Sequence, residues 1–168
     1  MHHSTRGHSG MEKVQRSETK GNPYLRLLLM AVLSFISMYV LMYAMVDRFE
    51  NVLANMNQFY MAGLMAAPMV IMEITLMSGM YPDKKLNTAL IAVSVLLLAG
   101  FFTLIRQQAM IKDKELLRSM IPHHAGAVLM CEQTSLEDPE VQALCRQIIE
   151  SQQREIDQMK AILERMGE

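Results

Sequence analysis

Met120, His123, His124, Met130 and Cys131 sit in one short stretch, and Gln152, Gln153, Glu155 and Met159 form a second cluster further along the chain. A thioether is a soft, neutral ligand that suits Cu(I), imidazole suits Cu(I) or Cu(II), and neither favours Mg or Ca. Copper explains the mixture best, Cu(I) ahead of Cu(II), and no residue pattern calls for an organic cofactor. On a helix Met120 and His124 share a face at i, i+4, as do Glu155 and Met159, whereas His123 aligns with Met130 at i, i+7. Two sub-sites are therefore expected. A blander account stands beside this one: adjacent histidines are often surface or satisfied core residues, and isolated methionines fill gaps in packing.

The elements that must position these side chains are two helices. From residue 107 onward Ile111, Leu116, Leu117, Met120, Ile121, Val128 and Leu129 recur at roughly helical spacing up to Thr134. A break follows, and Asp138 as N-cap with Pro139 at the first helical position starts a second helix that runs to about Arg165. The short turn forces an antiparallel hairpin. With its centre near residue 138, His124 faces Gln152, His123 faces Gln153, and Met120 lies opposite Ile156 with Glu155 and Met159 within a turn. Met130 and Met159 then lie roughly 20 Å apart along the hairpin at 1.5 Å per residue, too far for one ion in one chain. Cys131 and Cys145, the only cysteines, fall opposite each other. They are open to three readings: a disulfide stapling the hairpin in an oxidising compartment, two buried thiols, or a Cu(I) pair.

The stretch over 116–163 carries Met-Ile-Pro-His-His-Ala-Gly-Ala-Val-Leu-Met at 120–130, Asp-Pro-Glu-Val at 138–141 and Ile-Ile-Glu-Ser-Gln-Gln-Arg-Glu-Ile-Asp-Gln-Met at 148–159. It closely resembles the bacterial domain of unknown function 305. That resemblance implies a ferritin-like helical fold and a periplasmic copper-binding or copper-resistance role. It implies metal ligation by Met120, His123, His124 and Met130 and, in the distal box, by Gln153, Glu155 and Met159. One hairpin is half of a four-helix bundle, so a homodimer that completes the bundle is expected.

Ahead of the hairpin the chain is apolar. Residues 1–23 form a polar, basic tail too poor in apolar side chains to order itself. Residues 27–46, 58–80 and 86–105 are then each long enough to cross a bilayer, at roughly 30 Å for twenty helical residues. The organisation expected is all-α: a tail over 1–23, three transmembrane helices within 24–106, and a soluble hairpin over 107–168. The basic tail and Lys84/Lys85 favour a cytoplasmic N-terminus and a periplasmic hairpin in a bacterial inner membrane, against the competing Arg106, Lys112, Lys114 and Arg118.

Of 18 methionines, 11 lie between Met30 and Met80. On the second span Met61, Met65, Met69, Met72, Glu73, Met77 and Met80 fall within an arc of about 160°, and on the first Met38, Met42 and Met45 within about 60°. This is either helix packing or a soft ladder for Cu(I), with Glu73 as its polar element, since an intramembrane carboxylate is a functional suspect. His2, His3 and His8 form a weaker N-terminal metal site, or a disordered tail with chance histidines.

A net charge of −1 from 16 basic and 17 acidic side chains gives no basic excess for nucleic acid. No nucleophile–base pair or di-iron carboxylate pattern is visible, so catalysis is not expected. The function expected is a membrane-anchored copper-binding protein that sequesters or relays copper, working with copper-handling proteins. The alternatives are a structural adaptor of an envelope complex and an oligomeric copper or ion conduit through the second span.

Overall fold

The computed structural model describes residues 22–167, and among these there are five α-helices and no strand. The helices are α1 (Pro23–Leu41), α2 (Met56–Leu76), α3 (Lys84–Arg106), α4 (Asp113–Gln133) and α5 (Pro139–Arg165). Three are long and apolar enough to cross a membrane: α1 with the 3-10 turn that prolongs it to Met45, α2, and α3.

Their ends are set by caps rather than by the limits of the uncharged runs. α1 starts four residues before the expected span, because the Asn22 side chain accepts the Tyr24 N–H and Pro23 occupies the first turn. α2 ends at Leu76 rather than at 80; Met77 leaves helical geometry and Ser78–Met80 close a 3-10 turn. Asp83 starts α3 by accepting the Lys85 and Leu86 N–H groups.

α2 is the central helix of the three. Its buried face carries Ala62, Gly63, Ala66 and Ala67, small residues that let neighbouring helices approach closely. Gly63 marks the tightest point: a Cβ there would stand 2.5 Å from the Phe101 ring of α3. Gly63→Ala should therefore destabilise the protein by about 1–3 kcal/mol. Thermal unfolding in detergent followed by circular dichroism checks this against Gly100→Ala, where nothing lies within 4 Å of the added methyl.

At one end of the three helices Tyr24 of α1 bonds Asn87 of α3 at 2.9 Å and stacks on Tyr81 at 5.5 Å. At the other end lie the 42–56 connector and the whole hairpin. The first hairpin helix starts at Asp113, six residues later than its amphipathic pattern, because Gln108 and Met110 adopt left-handed backbone (φ 49° and 61°). Tyr60 holds this linker through a 3.0 Å bond to the Ala109 carbonyl, and the Asn57 and Gln108 amides pair reciprocally. Glu115 of α4 accepts the Met56 N–H at 3.1 Å, so a hairpin carboxylate sits at the N-terminus of α2.

α4 and α5 pack on Ile121, Ala125, Ile156 and Leu163, with Val46 and Leu53 of the connector and Leu117 and Met159 against them. The hairpin core thus takes in residues from the connector between α1 and α2. Cys131 and Cys145 are joined in a disulfide with Cα atoms 5.3 Å apart.

Candidate metal centre

The residues of the two hairpin boxes divide between two faces of α4. His124 points into the hairpin. It is 6% exposed; its Nδ1 lies 2.9 Å from the Met120 carbonyl and its Nε2 lies 2.7 Å from Glu155 Oε2 across on α5. An Nδ1–H donated to a backbone carbonyl orients the ring and directs Nε2 at the partner helix, the arrangement common among metal-ligating histidines. The Glu155 side chain is 53% exposed, so this edge is open to solvent. Met159, one turn beyond Glu155, packs against the buried cluster that contains Ile121 and Ala125.

Turn counting pairs His124 with Gln152; the structure pairs it with Glu155, three residues on. Helical side chains lean toward the N-terminus of their own helix. On α4 that lean points away from the turn and on α5 toward it, so the tips of two long side chains meet only when the α5 residue lies farther from the turn. The short cysteine side chains keep the simple pairing.

His123 does not face Gln153. Gln153 donates to Asp157 Oδ1 at 3.0 Å on the far side of α5, beside Arg146, Ile149, Glu150 and Arg154. His123 turns the other way, toward the apolar helices. There, itself an exposed residue, it lines an open cleft of about 380 Å³ with Met130, and the opposite wall is Met42, Met45 and Met61. The His123 and His124 rings lie 6.1 Å apart, one serving each face.

The remaining methionines do not form one channel in a single chain. Met38 and Met69 line a separate cavity with Met30 along α1, whereas Met65, Met72 and Met77 lie exposed on the surface of the apolar unit. Glu73 accepts the Tyr81 hydroxyl at 3.2 Å, a partner within its own chain. Burial first, and that hydrogen bond second, push the Tyr81 phenol above its ordinary value. His2, His3 and His8 lie outside the described residues. Among the described residues no three His, Cys, Asp or Glu side chains converge.

Sequence reading missed Gly126. A Cβ at this position would stand 3.3 Å from the Met45 carbonyl, so the glycine lets α4 close on the turn that carries Met45. The available signal was a glycine inside an amphipathic helix, which costs about 1 kcal/mol relative to alanine and so marks a close approach.

Fold and site together describe an all-helical protein with three apolar helices long enough to span a membrane and a disulfide-joined hairpin bearing a Met/His box on α4 and a Gln/Glu/Met box on α5. The chain belongs to the family described as Domain of unknown function (DUF305), whose model matches residues 99–167, from the last turns of α3 to the end of the hairpin. It is 33% identical over 141 residues to an uncharacterized protein of Acanthamoeba polyphaga mimivirus, covering 82% of this chain and 91% of that one. That similarity extends well beyond the hairpin. No solved structure matches the chain.

Proposed function

We propose that this protein is a membrane-anchored copper-binding protein that sequesters or relays copper through Met and His side chains and catalyses no reaction. The observation that carries this reading is the meeting of the two boxes at His124 and Glu155, with Nε2 aimed across the hairpin at 2.7 Å from the carboxylate. An ion entering at this open edge would replace the proton between nitrogen and oxygen. Met120 and Met159, one turn from His124 and Glu155 respectively, are the nearest thioether candidates. Imidazole, carboxylate and thioether together fit copper better than a hard divalent cation.

The setting proposed is a bacterial inner membrane with the N-terminus cytoplasmic and the hairpin periplasmic. The Cys131–Cys145 disulfide supports an oxidising compartment for the hairpin. A second copy completing a four-helix bundle is part of the proposal, supported by the exposed apolar side chains of Leu116, Val141 and Leu144 on the hairpin. The conduit reading draws support only from a second, separate cleft of about 620 Å³ lined by Met30, Met38 and Met69 along α1.

X-ray absorption at the copper edge of the copper-loaded full chain tests the donor set. Because both cysteines are held in a disulfide, any sulfur bound to copper must be thioether. A shell of imidazole nitrogen with sulfur is expected; retained copper bound by oxygen alone, or no retained copper, overturns the proposal.

A further inference from the structure

We infer that the cavity between the hairpin and the apolar helices is a second, Cu(I)-selective site, built jointly by Met42, Met45 and Met61 on one side and His123 and Met130 on the other. The inference rests on the copper reading and adds to it a site that neither half of the chain contains alone. Five soft donors from three separate segments line one space of about 380 Å³.

The other polar side chains on its wall are already committed. Asn55 donates to the Leu53 carbonyl and accepts the Gln58 N–H; Gln58 donates to the Tyr39 carbonyl. Asn57 is paired with Gln108, and the Ser119 hydroxyl donates to the Glu115 carbonyl. Among the described residues the ring nitrogens of His123 have no hydrogen-bond partner, which leaves imidazole and four thioethers as the donors on offer.

Among the described residues no Asp, Glu, Lys or Arg lines the cavity. The donors are neutral and, at Met45, Met61 and Met130, solvent-exposed, so they offer a divalent ion no compensating charge. A monovalent soft ion suffers less, and thioethers bind it well. Gly126 gives the independent sign of a built site: its missing Cβ allows Met45 to approach α4, and Met45 is thereby brought to the wall that carries His123. The position matters too. Met42 and Met45 stand at the hairpin end of the first apolar helix, and Met61 lies five residues into α2, about 7.5 Å at 1.5 Å per residue. An ion here sits at the boundary between the hairpin and the apolar helices.

The test is a Cu(I) titration of the oxidised full-length protein in lipid nanodiscs against a chromophoric Cu(I) chelator. Wild type, Met45→Leu/Met61→Leu, Met130→Leu and His124→Ala are compared. Leucine conserves the volume of methionine, and Met130 is 53% exposed, so these variants retain the fold. Loss of one Cu(I) equivalent, or its weakening by at least 10-fold, is expected in both Leu variants, while His124→Ala keeps that equivalent and loses the hairpin one. Leu variants that titrate like wild type overturn the interdomain site and leave the copper reading standing. A wild type that takes up no Cu(I) overturns both.

Discussion

Replacing Cys131 and Cys145 together with serine should lower the stability of the hairpin by about 3 kcal/mol, the stabilisation associated with closing a loop of about 15 residues. The bond joins α4 and α5 near their turn, with 14 residues of sequence separation. It adds to a small core, in which Ile121, Ala125, Ile156 and Leu163 form the buried hairpin cluster and α5 buries only Ile156 and Leu163 among the described residues. Two helices with so small a core gain much from covalent or oligomeric support. The same change should reach the metal residues. Met130 adjoins Cys131, and the register that brings His124 to Glu155 is held from the disulfide end. Hydrogen exchange of α4 and α5 with and without reductant measures the effect: faster exchange confined to the hairpin is expected, and unchanged protection on full reduction would contradict it.

Much of this arrangement is legible in the residues. Three apolar runs of bilayer length, the Asp138–Pro139 helix start and the opposed cysteines each carry a local physical signal, and the structure has helices and a disulfide at those places. What eluded the sequence depends on distance or direction. Helix ends moved by a few residues because caps at Asn22 and Asp83, not hydropathy, decide where the backbone turns. The linker over 107–112 looked helical because Ile111 fits the apolar period, but left-handed backbone at Gln108 and Met110 ends the run. Residue counting set Gln152 opposite His124, and side-chain lean brings Glu155, already in the expected distal box, to it instead. The cavity shared by Met45 and His123 joins residues far apart in the chain, and no periodicity within either helix announces it.

The largest functional effect expected is that of His123→Ala/His124→Ala, which removes the imidazole from both faces of α4 at once. His124 is buried and bonded at both ring nitrogens, so its loss leaves Glu155 without its partner across the hairpin. His123 has no such bond and contributes a donor rather than a structural link. Loss of second-shell partners alone weakens metal sites by about 10–100-fold, and loss of the ligands themselves should exceed that range. Copper affinity should accordingly fall by about 100-fold or more. Melting of the His123→Ala single variant should stay close to wild type, which separates donor loss from unfolding.

The most direct measurement of copper binding is therefore a Cu(I) competition titration of the full-length protein beside the His123→Ala/His124→Ala variant. The account predicts wild-type binding tighter than micromolar and a loss of at least about 100-fold in the variant; wild-type binding no tighter than micromolar, or equal affinities in the two proteins, would contradict it.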